Sequence, residues 1–403
     1  MMAGALEGLK VVEIAEGISG PYAGKLMADL GAEVIKVERP RTGDALRYAG
    51  PFYHDKPSAD SGLLYNFLNT SKLGVTLDVE TATGREWLDR LVADADVLLV
   101  SDLPANIERR GLDHASWSAA HPELVCTYVT PFGLEGPYSD WKGGELVAFH
   151  MSGLGLATPR DRLSIEGRRP LKAGANQALM IAGLSAATGT MHALFAREGS
   201  GQGALVDVSE VEPLASFQFL QIARWTYSGD NGDRGYGEGS RRFWSADGAV
   251  SMLLFTGQQR QWEAFREMLN NPSWLDEGNY QPPLSHIKDD DPFWGRLNEW
   301  GGHYSKEELY RKGQGLRVPL FPENDLAEAV ESEQVKSRGF MQEMPLANGE
   351  TVRAPVAPYM MFGTPAQIRG PAPTLGRDNR AILHTRLGIS EEELRHAYEA
   401  GVI

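Results

Sequence analysis

Short apolar runs alternate along this chain with longer segments in which apolar residues recur every three or four positions. Lys10–Ala15 reads Lys-Val-Val-Glu-Ile-Ala, a β-branched run of strand length. Gly17, Ser19 and Gly20 break it, and Pro21 stands where a helix takes its first residue, since a missing N–H costs nothing there. Tyr22, Leu26 and Leu30 follow at i, i+4 and i+8, one face of a helix that Gly31 ends. Residues 32–38 are a second strand, closed by Arg39-Pro40. The unit is β–α–β. Its glycine-bearing turn opens onto a helix start that can hold a phosphate or carboxylate.

The same rhythm continues. Strands are predicted at 73–79, 96–100, 124–130 and 204–209, and helices at 81–93 and 179–196. Residues 230–240 form a glycine- and charge-rich loop, a domain boundary or mobile lid. Residues 243–311 read as a different unit, a strand pair around Asp247-Gly248 followed by Trp- and Leu-rich helices. The tail returns to short strands and ends in a helix at 390–400, with Ser390 and Glu393 as a capping box. The predicted class is α/β, with domains at 1–210, 211–320 and 321–403. The last of these returns to the first.

A dinucleotide site is the rival for the opening unit. Its fingerprint needs G-x-G-x-x-G and an acid about twenty residues on. Glu38 has the right distance, but Gly17, Gly20 and Gly24 have the wrong spacing.

Composition narrows the partners. The formal charge of -15 excludes a broad nucleic-acid surface but leaves room for a local basic site. No uninterrupted run approaches the roughly eighteen apolar residues of a membrane span, and the first residues show no basic-then-apolar signal pattern. Cys126 is the only cysteine, so no intrachain disulfide forms and a reducing cytoplasm is expected. There is no Gly-x-Ser-x-Gly elbow and no Walker loop. The histidines lack metal spacing. His114 and His121 would stand roughly 10 Å apart along a helix, too far to share one ion. No metal site is expected.

Arg39, Lys72, Arg109 and Lys142 each lie near a predicted strand end or connecting loop. In a parallel sheet the carboxyl ends gather on one edge, where ligands bind. Several cations there suit a ligand with more than one phosphate.

The chain resembles the class III CoA-transferases, the carnitine/bile-acid CoA-transferase family that includes formyl-CoA transferases. The resemblance rests on residues 6–44, on Asn69-Thr-Ser-Lys-Leu-Gly-Val-Thr-Leu-Asp78, and on Gly133-Leu-Glu-Gly-Pro-Tyr138. It continues through 182–189 and 192–203, and closes with Leu375-Gly-Arg-Asp-Asn-Arg-Ala-Ile-Leu383. It implies a Rossmann-like large domain, a smaller α/β domain and an interlocked dimer. It implies CoA or acyl-CoA as a substrate rather than a permanently bound cofactor, with a carboxylic acid as the other substrate. CoA-contacting positions fall at Gly17, Ile18, Arg39, Lys72 and Arg109, and Lys142 and Glu145 lie near the active site.

One motif departs. The family's catalytic Asp stands about four or five residues before the Gly-Leu pair that opens the Ala-rich helix. Here that pair is Gly183-Leu184, and the matching positions are Leu179 and Ala178. No Asp or Glu occurs between Glu166 and Glu198. The family mechanism needs a carboxylate nucleophile, which splits one difficult exchange into easier steps. Three readings follow. The chain is the non-nucleophilic subunit of a heteromer with an Asp-bearing paralogue. Alternatively it works alone with a relocated carboxylate, Glu145, or it binds acyl-CoA without transfer, as a racemase-like enzyme or binding module. Tyr236, Arg241, Arg242 and Phe243 are read as loop residues that either meet an acyl group or carboxylate or simply pack on the surface.

Overall fold

The computed structural model describes residues 4–158, 172–230, 240–253, 258–278, 280–282, 284, 287–288 and 290–403. Six parallel strands build its main sheet: β1 (Lys10–Ala15), β2 (Glu33–Glu38), β3 (Leu73–Thr76), β4 (Val97–Ser101), β5 (Val125–Thr130) and β6 (Leu205–Ser209). Their order is β3-β2-β1-β4-β5-β6, the doubly wound arrangement. The order reverses between β1 and β4, so a crevice opens outside the carboxyl ends of those two strands.

Both faces of the sheet are covered, as a parallel sheet requires. Alternation along the strands sends Val12 and Ile14 of β1 and Ile35 and Val37 of β2 to one face. There they meet Trp87, Leu88 and Leu91 of the Ala82–Val92 helix, and Ile382 and Leu394 of the C-terminal segment. Val11, Val34, Val97 and Val125 take the other face. Here the Ser19–Asp29 helix contributes Ala23 and Met27, and the Gln177–Ser200 helix contributes Ala186 and Ala193. These two helices approach closely because position 183 is glycine. A Cβ there would stand 2.4 Å from the Ser19 carbonyl oxygen.

The main chain divides into two compact units: Met1–Thr158, Pro170–Asn231 and Arg338–Ile403 form one, and Pro159–Arg169 and Gly232–Ser337 the other. The second holds an antiparallel sheet of β7 (Ser240–Trp244), β8 (Ala249–Leu253) and β9 (Leu320–Pro322). Phe243, Val250 and Met252 pack there against Trp262, Phe265, Phe293 and Leu309. The first also carries a hairpin of β10 (Met341–Pro345) and β11 (Thr351–Pro355). Its C-terminal segment caps the edge of the main sheet, because Asp378 and Asn379 accept the N–H groups of Gly74 and Thr76.

Several expectations are adjusted. The first helix begins at Ser19, two residues before Pro21, which still lies in the first turn, where N–H groups have no intrahelical acceptor. The strand expected over 73–79 ends at Thr76, because Asp78 donates to the Val402 carbonyl of the C-terminal segment instead. Lys72 precedes β3 rather than standing at a carboxyl end. Arg241, Arg242 and Phe243 lie in β7, with Phe243 in the core, and are not loop residues. Tyr236 falls outside the described residues. The Gln177–Ser200 helix is long and apolar enough to cross a membrane by length and mean hydropathy, although no uninterrupted apolar run is that long. Its buried face lies on the sheet.

Candidate functional site

The chain leaves β1 at the point where strand order reverses. Gly17 turns it at φ +78°, a conformation that favours glycine. The Gly17 N–H donates to Asp44 Oδ1 at 3.3 Å. The other Asp44 oxygen is 3.1 Å from Lys36 Nζ, which also donates to the Ala15 carbonyl at 2.6 Å and to Glu13 Oε1 at 3.2 Å. A buried ion pair therefore brackets the turn. The first-turn N–H groups of the Ser19–Asp29 helix follow it, and these have no intrahelical acceptor.

Glu13 and Lys36 are partners in register on one face of the sheet. Lys72 completes the cluster, its ammonium 2.7 Å from Glu13 Oε2, 2.8 Å from the Pro21 carbonyl and 2.9 Å from Asn69 Oδ1. Its side chain is fully buried. Burial pushes the Lys72 ammonium down to about 8 against the pull of Glu13. Lys36 is also penalised by burial, but Asp44 and Glu13 together hold it above its ordinary value.

Outside the ends of β1, β2 and β4 lies a small cleft of about 90 Å³, open to solvent. Glu16, Glu38, Arg39, Ser101, Asp102 and Arg110 supply its polar lining. Arg39 Nε stands 3.2 Å from Glu16 Oε1, and burial raises the Glu16 carboxyl. Arg110 Nη1 donates to Asp102 Oδ2 at 3.2 Å. Glu38 ends β2, where dinucleotide folds keep an acid for the ribose. Here Arg47 binds both of its oxygens, at 2.8 and 2.7 Å, and Tyr65 and the Asp44 N–H add to them. Despite burial, Arg47 and Lys36 hold the Glu38 carboxyl below its usual range. The dinucleotide reading loses its acid as well as its glycine spacing.

A second cluster forms at the start of the Gln177–Ser200 helix. Glu145 opens the Glu145–Met151 helix, and its carboxylate accepts the main-chain N–H groups of Ala178 at 3.3 Å and Leu179 at 3.1 Å. Lys172 Nζ is 3.7 Å away. Glu210 directly follows β6 and accepts the Ser19 hydroxyl at 2.6 Å. Burial raises its carboxyl, and the Glu145 charge adds to this.

The residues named from sequence are thus distributed unevenly. Arg39 lines the cleft, Gly17 and Ile18 follow β1 in the turn beside it, and Glu145 and Leu179 are joined by a hydrogen bond. Lys72 is sealed in the ion cluster. Arg109 is exposed and paired with Glu80 at 2.7 Å, and it does not line the cleft. Lys142 lies exposed in the loop before Glu145, with no ion pair among the described residues. Asp44, Arg110 and Glu210 were missed. Position directly after a strand could have found Glu210. Nothing in a run of two arginines tells which one faces inward.

The parallel sheet, with helix N–H groups lacking an intrahelical acceptor beside its crevice, is a doubly wound α/β scaffold. The CoA-transferase family III model matches residues 6–379, and the chain belongs to that family. It is 33% identical over 389 residues to the succinyl-CoA:(R)-benzylsuccinate CoA-transferase subunit BbsE of Thauera aromatica, covering 91% of each chain. It is 28% identical to the formyl-CoA:oxalate CoA-transferase of Afipia carboxidovorans, covering 100% of this chain and 98% of that one. A crystal structure of a CAIB/BAIF family protein from Brucella suis superposes with a TM-score of 0.82 at 26% identity, covering 95% of this chain and 99% of that one.

Proposed function

We propose that this chain is the subunit of a heteromeric class III CoA-transferase that binds acyl-CoA without supplying the nucleophile. The observation that carries this reading is the start of the Gln177–Ser200 helix. Leu179 occupies the position that the resemblance gives to the catalytic Asp, and it offers no carboxylate. Glu145, the acid bonded to this helix start among the described residues, spends both oxygens on helix N–H groups. CoA is a substrate here, with its diphosphate on the turn at Gly17 and Ile18 and its remaining phosphate near Arg39. No cofactor stays bound.

The other substrate is a carboxylic acid. Two relatives carry the names of dicarboxylic acids, benzylsuccinate and oxalate, which supports that class. The partner is a second subunit with an Asp in the slot of Leu179, and BbsE is itself named as a subunit. The exposed apolar helix Phe219–Ser228 supports assembly, either in this heteromer or in the interlocked dimer that the resemblance implies. The single cysteine, buried in β5, supports a reducing compartment such as the cytoplasm.

A second reading has its own observation. Glu145 places its carboxylate one hydrogen bond from Leu179, so a relocated nucleophile would stand next to the vacated position. Intact-mass spectrometry of the chain with acyl-CoA separates the two. No adduct on the chain alone, with transfer restored by an Asp-bearing paralogue, supports the subunit. A CoA thioester on Glu145 overturns it in favour of a self-sufficient enzyme.

A further inference from the structure

The chain between β5 and the Glu145–Met151 helix is a loop with a closed base. Its ends meet where a Cβ on Gly143 would stand 2.4 Å from the Pro131 side chain. The base is tied to the edge of the main sheet. The Gly133 N–H donates to Thr130 Oγ1 at 2.8 Å, and the Leu134 N–H donates to Asp207 Oδ2 at 3.0 Å. Loops of this size with touching ends are packed by their own side chains and frequently carry function. Here three rings do the packing. Tyr138 and Trp141 stack with centroids 4.1 Å apart, and Phe132 stands roughly perpendicular to both, at 5.9 and 6.3 Å. The packing does not bury the stacked pair, since Tyr138 is 43% and Trp141 52% exposed. Lys142 follows Trp141 directly and is exposed. It makes no ion pair among the described residues, although Glu135 and Asp140 lie on the same loop.

The geometry points to the Tyr138–Trp141 stack and Lys142 as the subsite for the acyl group, which takes a carboxylic acid bearing an aromatic ring and a second carboxylate. The inference rests on the CoA reading above and names the acid class within it. Position selects the acyl group over the adenine of CoA. In that reading the phosphates lie at the turn after β1, and β5 stands two strands away, about 10 Å across the sheet. The loop leads straight into Glu145, whose carboxylate accepts the Leu179 N–H. Lys142 precedes Glu145 by three residues, at most about 11 Å of chain. A ligand ring laid on the stack gains aromatic packing and covers surface that water now wets. The two protein rings already hold each other, so little side-chain freedom is lost when the ligand arrives. The ammonium then takes the carboxylate that is not joined to CoA.

Calorimetric titration of the purified chain with phenylsuccinyl-CoA, succinyl-CoA and butyryl-CoA tests the subsite. The wild type is expected to bind phenylsuccinyl-CoA roughly three- to tenfold more tightly than succinyl-CoA. Trp141→Ala should bring that ratio to about one. Lys142→Met should lower the ratio of succinyl-CoA to butyryl-CoA affinity by roughly two- to fivefold. Trp141→Leu, which keeps apolar bulk in the loop, reads the same ring preference if the alanine variant fails to fold. Equal wild-type affinity for the phenyl and plain succinyl thioesters overturns the subsite and leaves the CoA reading standing. So does a Trp141→Ala chain that keeps the preference but runs as a smaller species in light scattering, since the rings then cover another chain. If the wild-type chain binds none of the three thioesters, the CoA reading itself fails.

Discussion

Glu145 Oε2 lies 3.1 Å from the main-chain nitrogen of Leu179. With Oε1 on Ala178, the carboxylate satisfies two N–H groups that the Gln177–Ser200 helix cannot satisfy itself. The N-cap residue of that helix, Asn176, makes no side-chain cap bond, so the cap comes from the neighbouring helix. Glu145→Ala is therefore expected to lower stability by about 1 kcal/mol. Glu145→Gln, with one acceptor left, should recover part of this. Urea denaturation of the three proteins measures it. Equal midpoints for Ala and wild type would mean that other contacts hold the helix start.

The same geometry makes Leu179→Asp informative. A carboxylate in the first turn gains from the helix dipole, but here it meets the Glu145 charge, so one of the two acids is pushed up in pKa. The variant should form a covalent CoA thioester with acyl-CoA, seen as a mass increase and mapped to the 172–197 peptide. The wild type should give none. A wild-type adduct on Glu145 or Glu210 would remove the case for a non-nucleophilic subunit.

The sheet was legible from sequence because its strands are short β-branched runs, most of them buried along nearly their whole length. β1 and the 204–209 strand read as short apolar runs, and the predicted and observed limits agree within one residue. The Ser390 capping box was equally plain, since both of its bonds lie within four residues of chain. The site was less legible. Lys72 looked like a surface cation because its partners Glu13, Pro21 and Asn69 come from three different segments. Arg110 and Arg109 differ only in which way a short helix turns them. The Glu145–Leu179 bond joins residues 34 apart through a main-chain donor, which leaves no trace in side-chain pattern.

Lys72 gives a pH signature. Burial lowers its folded pKa to about 8 from the ordinary 10.5, so between those values the unfolded chain binds the extra proton. Stability from this group rises with pH across that window, by at most about 1.4 kcal/mol per unit. Lys72→Met lacks the term. The stability difference between wild type and Lys72→Met should therefore grow from pH 8 to pH 10 in urea titrations. A constant difference would place the ammonium near its ordinary pKa. Because Lys72 is sealed from solvent, the variant should lose stability well before it loses CoA affinity.

The last expectation concerns the Phe219–Ser228 helix. None of its residues is buried, yet it carries Phe219, Leu220, Ile222, Trp225 and Tyr227, with Phe217 just before it. Phe195 of the Gln177–Ser200 helix is also 78% exposed. A helix this apolar is stable in water only when another surface covers it. Phe219→Glu combined with Leu220→Glu puts two charges where that cover must lie, and burying an unpaired charge is costly. The wild-type chain is expected to run as an oligomer in light scattering, and the double variant as a smaller species with the same far-ultraviolet circular dichroism. An unchanged mass for the double variant would place the assembly surface elsewhere on the chain.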